Sequence, residues 1–237
     1  MTTQTQPIEL YYFRTPNGHK VSMLLEELGV PYVIRVIHIG RGDQLRPEFL
    51  AISPNNKIPA IVDPEGPDGV PISIFESGAI LQYLATKFGQ FYPQDVRGKT
   101  KVDEWLFWQV GGFGPMLGQN NHFVHYAPEK VPYAIDRYVN ETHRLYGVLD
   151  KQLAGQDFIA GEYSIADIAT IGWANDLERQ TMDPADFPNV VAWRNRVNAR
   201  PAIQRAYAIN IEDAAINNLA DDKAAQAVLF GQRGKEK

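Results

Sequence analysis

The order of strand-like and helix-like stretches before residue 90 restricts the fold of this chain more than any other feature. Four short apolar runs typical of strands occur there: IELYYF, YVIRVI, PAIVD and PISIF. Helical patterns lie between or after them: KVSMLLEELG, PEFLAI and SGAILQYLATKF. The order is therefore β-α-β-α-β-β-α, and only the turn-rich PEGPDG separates the last two strands. This alternation predicts an α/β domain.

The pattern changes after about residue 98, where long amphipathic helical stretches rich in aromatic residues replace the strands. A chain of 237 residues with 44% hydrophobic residues can bury the core of one large or two small domains. We predict an α/β domain over 7–89, an all-helical domain over 98–210 and a C-terminal extension over 211–237. The extension contains the helical pattern DDKAAQAVLF, which could fold back over a cleft or over a partner subunit.

Charge and hydropathy limit the classes of partner. The net charge is -5 and the chain has no basic run, which argues against nucleic acid or an anionic membrane surface as the main partner. No apolar run approaches the roughly 20 residues of a membrane span, and MTTQTQP lacks the features of a signal peptide. The expectation is a cytoplasmic protein whose partners are small molecules or proteins.

The sequence contains no cysteine. Disulfide bridges, thiolate metal sites and a protein-borne thiol nucleophile are therefore excluded, and any sulfur chemistry must use thiols that a ligand brings. His122 and His125 are three residues apart, but no carboxylate pattern beside them completes a ligand set. We expect no metal site.

Several motifs carry a family resemblance. NNKIPAIVD puts Pro59 just before a strand, where a cis bond to Ile58 would form a ligand-facing turn, and FESGAI opens the next helix. In this order, followed by a helical half, they resemble a thioredoxin-like domain of the glutathione transferase family. Six motifs together look like its bacterial Nu class: TPNGHK, SPNNKIPAIVD, FESGAI, LFWQVGGFGPMLGQN, YAIDRY and YSIADIA.

The resemblance extends from Ile8 to about Arg205 and implies an activity. The known reaction of the Nu class is glutathione-dependent disulfide reduction, so glutathione is the expected substrate, with one or two molecules or the oxidised form in each site. A small disulfide or electrophile is the expected second substrate, and a homodimer is the expected assembly. Two alternatives stay open: a conjugating, dehalogenating or ether-cleaving transferase, and a non-catalytic module of the same fold.

The start of the first helix is the candidate thiol site. Asn17 is the predicted N-cap, with Thr15 and Pro16 in the turn before it, and these residues could do no more than start the helix. The resemblance implies instead that Thr15 and Asn17 stabilise a glutathione thiolate. Lowering a thiol pKa by about 2 units from about 8.5 requires only roughly 2.7 kcal/mol. Tyr11 or Tyr12, in the preceding strand, is the alternative activator, although alternation should point one of them into the core.

The resemblance also implies residues that bind the rest of glutathione. Ser77, the predicted N-cap of the next helix, would leave free amides for the γ-glutamyl carboxylate, and Glu76 would take the ammonium group. Both could also serve only the helix start. Ile58 is expected to pair its main chain with the cysteinyl backbone, while Lys57 either pairs with the glycyl carboxylate or is simply solvated.

Other positions come from the helical half or from resemblance alone. Gln44 matches a position that reaches the glycyl end of glutathione, and Arg137 matches one that contacts a second ligand carboxylate. In a stretch expected to form a kinked or broken helix, three residues line either the acceptor pocket, the core or a dimer contact: Trp108, Phe113 and Met116. Asp167 of YSIADIA is predicted to form a capping box with Ser164 and to have no chemical role.

Overall fold

A four-stranded sheet forms the N-terminal domain. The computed structural model describes residues 4–211 and 222–232. The strands are β1 (Ile8–Tyr12), β2 (Tyr32–Val36), β3 (Ala60–Asp63) and β4 (Ile72–Phe75), in the order β2-β1-β3-β4. β1 is parallel to β2 and antiparallel to β3, with Leu10 opposite both Ile34 and Ile61.

Helices cover both faces of this sheet. They are α1 (Pro16–Leu28), α2 (Pro47–Leu50) and α3 (Ser77–Phe88). Alternate residues of β1, including Leu10 and Tyr12, are buried in the main core with α1 and α3. Tyr11 points to the other face, where its ring lies 6.0 Å from that of Phe49 on α2. The period of two in β1 therefore determines which helix each side chain meets.

The rest of the described chain is helical. Its helices are α4 (Val96–Trp108), α5 (Gly114–Asn121), α6 (Pro132–Gln152), α7 (Ile165–Ala174), α8 (Pro188–Asn198), α9 (Pro201–Ala208) and α10 (Lys223–Phe230). π turns at Gln109–Phe113 and His122–Tyr126 continue α4 and α5, where the sequence predicted a kink or break. The two-part α/β and helical architecture confirms the predicted fold class. No helix among these residues is long and apolar enough to cross a membrane.

α7 joins the two domains. It packs against α1, and a Cβ atom at Gly172 would lie 2.9 Å from the carbonyl oxygen of Pro16, so glycine permits this close approach. Two ion pairs add to the contact: Arg200 with Glu27 and Arg205 with Glu26, each at 2.6 Å. The start of α1 is thus held against the helical domain by α7, and the end of α1 by the two ion pairs.

The predicted capping box at the start of α7 is confirmed. Ser164 is the N-cap, and Asp167 accepts a hydrogen bond from the Ser164 amide at 3.0 Å. The fully buried carboxylate of Asp167 also accepts from the Ile159 amide at 3.0 Å and from the Trp193 indole at 2.8 Å. It has a structural role because all these partners belong to the protein.

Candidate functional site

A cleft of about 320 Å³ lies where the start of α1 faces the helical domain. A second pocket of about 180 Å³ adjoins it and shares the lining residues Asn17, Lys57 and Ile58. A hollow of about 720 Å³ near Lys87 is larger, but none of the predicted site residues lines it. The cleft and the adjoining pocket form one continuous candidate site because they share lining residues. The start of α1 lines the cleft, and the start of α3 lines the adjoining pocket.

The N-cap of α1 is Thr15, so the prediction of Asn17 at this position was wrong. Thr15 has extended backbone angles, and its Oγ1 accepts a hydrogen bond from the amide of Gly18 at 3.0 Å. Pro16 takes the first helical position, where its fixed φ angle fits and its missing N–H is not needed. Because Oγ1 acts as the acceptor in the cap, the Thr15 hydroxyl hydrogen can still be donated to a ligand.

Asn17 lies in the first turn of α1 and lines both pockets. Its Oδ1 accepts a hydrogen bond from Nε1 of Trp173 at 3.0 Å. The indole can only donate, so this bond assigns the oxygen side of the amide. The amide hydrogens of Asn17 are consequently the part that a ligand in the cleft can use.

The two tyrosines of β1 lie away from the cleft. Tyr12 is fully buried in the core, and its hydroxyl lies 3.1 Å from Nδ1 of His19. Burial raises the pKa of Tyr12 to about 12 and lowers the pKa of His19 to about 4. Tyr11, on the opposite face, donates to Glu9 at 3.0 Å. One tyrosine enters the core as predicted, and Thr15 and Asn17 are the side-chain donors that the start of α1 presents to the cleft.

The start of α3 differs from the prediction, because Glu76 and not Ser77 occupies the N-cap position. Glu76 has a left-handed φ of 69° and an exposed side chain, and Ser77 is the first helical residue. Over the described chain, no side chain caps the first turn of α3. Its amide groups and the positive end of the helix dipole thus face the smaller pocket, where an anion would be stabilised.

Lys20 is a buried cation beneath this helix start, and the sequence analysis missed it. Its side chain is 2% exposed, and Nζ lies 2.6 Å from Oε1 of Gln109 and 3.4 Å from Oγ of Ser77. Burial lowers the pKa of Lys20 to about 7, while the nearby carboxylate of Glu76 acts in the opposite direction. The available signal was the position of Lys20 four residues before Leu24, on the apolar side of α1.

The loop side of the site contains the remaining N-terminal candidates. The peptide between Ile58 and Pro59 is cis, as the sequence predicted, and both residues line the smaller pocket. Lys57 is exposed at the rim. Gln44 is buried and donates through Nε2 to the carbonyl of Ile39 at 2.9 Å. Its Oε1 is buried with no partner among the described residues, so a ligand N–H would satisfy it.

The prediction for Phe113 in the acceptor pocket was wrong. Phe113 is fully buried and stacks on Trp108 with ring centroids 4.9 Å apart, so it belongs to the core. Trp108 and Met116 are half-buried against the same core and are not lining residues of the cleft. The helical wall of the cleft is formed by residues that the sequence analysis did not select: Gly118, Asn121, Tyr126, Trp173 and Asp176.

Arg137 is outside the cleft lining. It lies on α6 with its side chain 56% exposed, and its guanidinium is 3.8 Å from Glu141. Contact between Arg137 and a ligand carboxylate therefore stays a prediction from resemblance. Within the described parts of the chain, no three His, Asp or Glu side chains form a group that could hold a metal ion.

The C-terminal extension folds back over the cleft of its own chain. Leu229 of α10 lines the cleft, and the ring of Phe230 lies 4.6 Å from that of His122. At the other side of the cleft, Asn56 donates to Gln232 at 3.4 Å. The predicted extension also includes 212–221 and 233–237, which lie outside the described residues.

Comparison with known proteins agrees with this geometry. The family models for the glutathione S-transferase N-terminal and C-terminal domains match residues 15–87 and 121–201. The disulfide-bond oxidoreductase YfcG of Escherichia coli (strain K12) is 54% identical over 201 residues, which cover 84% of this chain and 94% of YfcG.

Two crystal structures of glutathione transferases are similar in fold and sequence. One, from Pseudomonas fluorescens with two glutathione molecules bound, has a TM-score of 0.81 and 46% identity, covering 84% of this chain and 91% of that one. The other, from Pseudomonas putida with one glutathione disulfide bound per subunit, has a TM-score of 0.82 and 44% identity, covering 89% and 94%. The chain therefore belongs to the glutathione transferase family and is of the bacterial Nu type.

Proposed function

We propose that this protein is a glutathione-dependent disulfide-bond reductase in which ligands supply every sulfur atom. The observation that carries the proposal is a pair of side-chain donors, Thr15 and Asn17, that line a cleft in a chain without cysteine. The E. coli relative is named a disulfide-bond oxidoreductase, and the P. putida neighbour holds glutathione disulfide. Both names fit a site that accommodates two linked glutathione sulfurs.

The first role of the site is to favour the glutathione thiolate. The Thr15 hydroxyl and the Asn17 amide donate hydrogen bonds to the sulfur, and the positive end of the α1 dipole lies beside it. A shift of about 2 pKa units corresponds to about 2.7 kcal/mol, which two hydrogen bonds to a charged sulfur and a helix dipole can supply. A thiolate is thereby present at neutral pH.

The reaction then proceeds by two thiol–disulfide exchanges. The bound glutathione thiolate attacks one sulfur of the acceptor disulfide, the S–S bond breaks, and one acceptor thiolate leaves and takes a proton from solvent. A second glutathione thiolate attacks the glutathione sulfur of the mixed disulfide and releases the other acceptor thiolate. Two glutathione molecules are oxidised to one glutathione disulfide, and one acceptor disulfide is reduced to two thiols.

The remaining candidates hold glutathione in position. Glu76 binds the γ-glutamyl ammonium group, and Ser77 with the first amides of α3 binds the adjacent carboxylate. Ile58 pairs its main chain with the cysteinyl residue, and Lys57 attracts the glycyl carboxylate. The buried oxygen of Gln44 would accept an N–H from the glycyl end.

The second exchange needs a site for a second glutathione. Arg137 would contact a carboxylate of the second glutathione if its side chain leaves Glu141 and turns toward the cleft. An exposed ion pair of this type is worth at most about 1 kcal/mol, so the exchange of partners costs little. The two glutathione molecules in the P. fluorescens structure support a second glutathione site in this chain.

Assembly, domain limits and location are further parts of the proposal. We propose a homodimer, since Phe107 and Val96 on α4 are 62% and 81% exposed and a partner would cover them. The domain limits remain 7–89, 98–210 and 211–237. A cytoplasmic location suits a cysteine-free enzyme that consumes glutathione in its thiol form.

The test is the glutathione-dependent reduction of bis(2-hydroxyethyl) disulfide, coupled to glutathione reductase and NADPH, with the uncatalysed exchange subtracted. The Thr15→Ala/Asn17→Ala variant should lose about 25-fold in kcat/KM at pH 7, because a rise in the pKa of the bound thiol from about 6.5 to about 8.5 lowers its thiolate fraction from about 76% to about 3%. Thr100→Ala, at an exposed threonine of α4, is the matched control and should keep its activity. Wild-type turnover no faster than the uncatalysed exchange would refute the proposed function.

Conjugation is the second candidate, because Tyr126 and Leu229 give the cleft an apolar side that an electrophile could occupy. It would use the same thiolate. A kcat/KM for 1-chloro-2,4-dinitrobenzene above that for every disulfide tested would make conjugation the main activity. A protein that fails to bind glutathione would instead be a non-catalytic module of this fold.

A further inference from the structure

Asp176 is a carboxylate in the helical wall of the cleft, and the mechanism above gives it no role. It follows the end of α7 and lines the cleft together with Trp173 and Tyr126. Among the described residues of that lining, the only other charged side chain is Lys57, which belongs to the N-terminal domain. The part of the helical wall that the structure describes therefore has one formal charge, and it is negative.

The carboxylate of Asp176 has no partner among the residues that the structure describes. No side-chain hydrogen bond or ion pair joins it to another group, although it is half-buried. Burial is the largest influence and raises the pKa of Asp176, which means that water has been removed from the carboxylate without a full replacement. A carboxylate in this condition gains most from a ligand cation.

The charged groups around Asp176 are already engaged elsewhere. The guanidinium of Arg179 lies 5.7 Å from the ring centroid of Tyr126 and donates to its hydroxyl at 3.1 Å. Glu178 is paired with Arg194 at 3.0 Å, and Nε2 of His125 lies 2.8 Å from the carbonyl oxygen of Arg179. Arg179 and His125 lower the pKa of Asp176 through their charge but do not neutralise it by contact.

The position of Asp176 separates its role from that of Glu76. The proposed partner of Glu76 is the ammonium group of the first glutathione, and Glu76 lines the smaller pocket. Asp176 and Thr15 both line the larger cleft, which receives the acceptor disulfide in the proposed mechanism. A cation that reaches Asp176 is therefore brought by the molecule in this cleft and not by the ammonium group of the first glutathione.

We propose that Asp176 selects acceptor disulfides that have an ammonium group close to the S–S bond. This inference rests on the proposed disulfide reductase activity and names the substrate class of the same site. The ammonium group pairs with the carboxylate while the near sulfur faces the glutathione thiolate. Anionic disulfides are disfavoured because they would bring a second negative charge to the same wall of the cleft.

The experiment uses three disulfides of similar size and different charge. Cystamine has two ammonium groups, bis(2-hydroxyethyl) disulfide is neutral, and dithiodiglycolate has two carboxylates. The kcat/KM of each is measured at pH 7 with saturating glutathione, after subtraction of the uncatalysed exchange. Since the three differ in chemical reactivity, the ratio of variant to wild type for each substrate is the quantity to compare.

Asp176→Asn removes the charge and keeps the shape. It should lower kcat/KM about tenfold for cystamine, change it less than twofold for the neutral disulfide and raise it severalfold for dithiodiglycolate, because charge pairs in partly desolvated sites are worth this much. Glu178→Gln is the matched control, because it removes the same charge two residues away on an exposed side chain that is paired with Arg194. It should leave all three ratios near one.

Two results would overturn the inference. If Asp176→Asn changed the three substrates by the same factor, or if Glu178→Gln reproduced its charge ranking, Asp176 would not be the selecting residue. Wild-type turnover of the neutral disulfide in either case would leave the proposed function intact. Failure of the wild type with all three disulfides would overturn the proposed function and this inference together.

Discussion

Nε1 of Trp173 donates a hydrogen bond to Oδ1 of Asn17 over 3.0 Å, and this bond joins the helical domain to the first turn of α1. The indole of Trp173 packs closely against Gly118, where an added Cβ atom would lie only 3.2 Å from the ring. The amide of Asn17 is consequently oriented by a residue 156 positions away. In the proposed mechanism, docking of the two domains determines which face of the amide reaches the thiolate.

Trp173→Phe should lower kcat/KM for disulfide reduction about fivefold. The ring still fills most of the space, but Asn17 loses the donor that fixes its amide, and one hydrogen bond of this kind is worth about 1 kcal/mol. The loss should be smaller when Asn17 is already alanine, because the two residues act through one bond. A double-mutant cycle in the coupled assay measures this difference.

Trp105→Phe is the matched control for this cycle. The indole nitrogen of Trp105 is buried without a partner among the described residues, so its removal breaks no hydrogen bond that the structure contains. The Trp105 variant should keep wild-type activity. Equal losses in the two tryptophan variants, or full additivity with Asn17→Ala, would contradict a positioning role for Trp173.

Thr15→Ala should affect both stability and the bound thiol. Loss of the N-cap hydrogen bond to Gly18 should reduce the free energy of unfolding by about 1 kcal/mol. Loss of the hydroxyl donor should raise the pKa of the bound glutathione thiol by about 1 unit, or about 1.4 kcal/mol. Urea unfolding gives the first quantity, and thiolate absorbance near 240 nm against pH gives the second.

Thr15→Ser separates the two effects from a general loss of packing. Serine keeps the cap and the donor, so the variant should retain the wild-type thiol pKa and most of the stability. An unchanged thiol pKa in Thr15→Ala would mean that the Thr15 hydroxyl does not donate to the sulfur, whatever the change in stability.

Asp167→Asn should destabilise the fold by about 2–4 kcal/mol without a specific effect on glutathione affinity. Both oxygens of the buried Asp167 accept hydrogen bonds, from Trp193 on one side and the Ser164 amide on the other. Asparagine can offer an acceptor to only one side and leaves a buried donor facing another donor. Urea unfolding measures the change, and Asp183→Asn, at an exposed cap, is the control. A loss below about 1 kcal/mol would show that this network is not critical.

Local features were predictable from the sequence. The alternation of strands and helices, the cis bond at Pro59 and the capping box of α7 depend on neighbouring residues, and the structure contains all three. The N-caps of α1 and α3 were misassigned by two residues and by one residue. Asn17 is a strong capping residue, but Pro16 favours the first helical position, which moves the cap to Thr15.

The contacts across the cleft were not predictable in the same way. Lys20 meets Gln109 across 89 positions of sequence, and their contact depends on how α1 packs against the helical domain. Phe113 was selected as an aromatic residue in a glycine-rich stretch, yet the π turn places it in the core. Periodicity identifies an apolar face but does not distinguish a core wall from a cleft wall.

Lys20 should lower the free energy of unfolding of the protein and strengthen its binding of glutathione. Its folded pKa of about 7 is below the ordinary lysine value of about 10.4, so between these two values the unfolded chain holds a proton that the folded chain has released. The contribution of Lys20 to stability is therefore least favourable below pH 7 and improves as the pH rises from 7 toward 10. The double variant Lys20→Met/Gln109→Leu removes both polar partners, so that neither is left buried without the other. It should be more stable than wild type by about 2 kcal/mol at pH 6, and the difference should be smaller at pH 9.

The same cation should attract the γ-glutamyl carboxylate through Ser77. S-methylglutathione isolates this effect because it has no thiol to ionise, and His19, with its pKa lowered to about 4, stays neutral above pH 6. Lys20→Met should weaken binding about tenfold at pH 6.5. Wild-type affinity should fall as the pH rises above 7 and Lys20 loses its proton, while the variant's affinity stays constant up to pH 8. Calorimetry in buffers of different ionisation enthalpy should detect proton uptake at pH 8 in the wild type alone. Equal uptake in the variant would assign the proton to another group, and unchanged affinity would leave Lys20 as a purely structural residue.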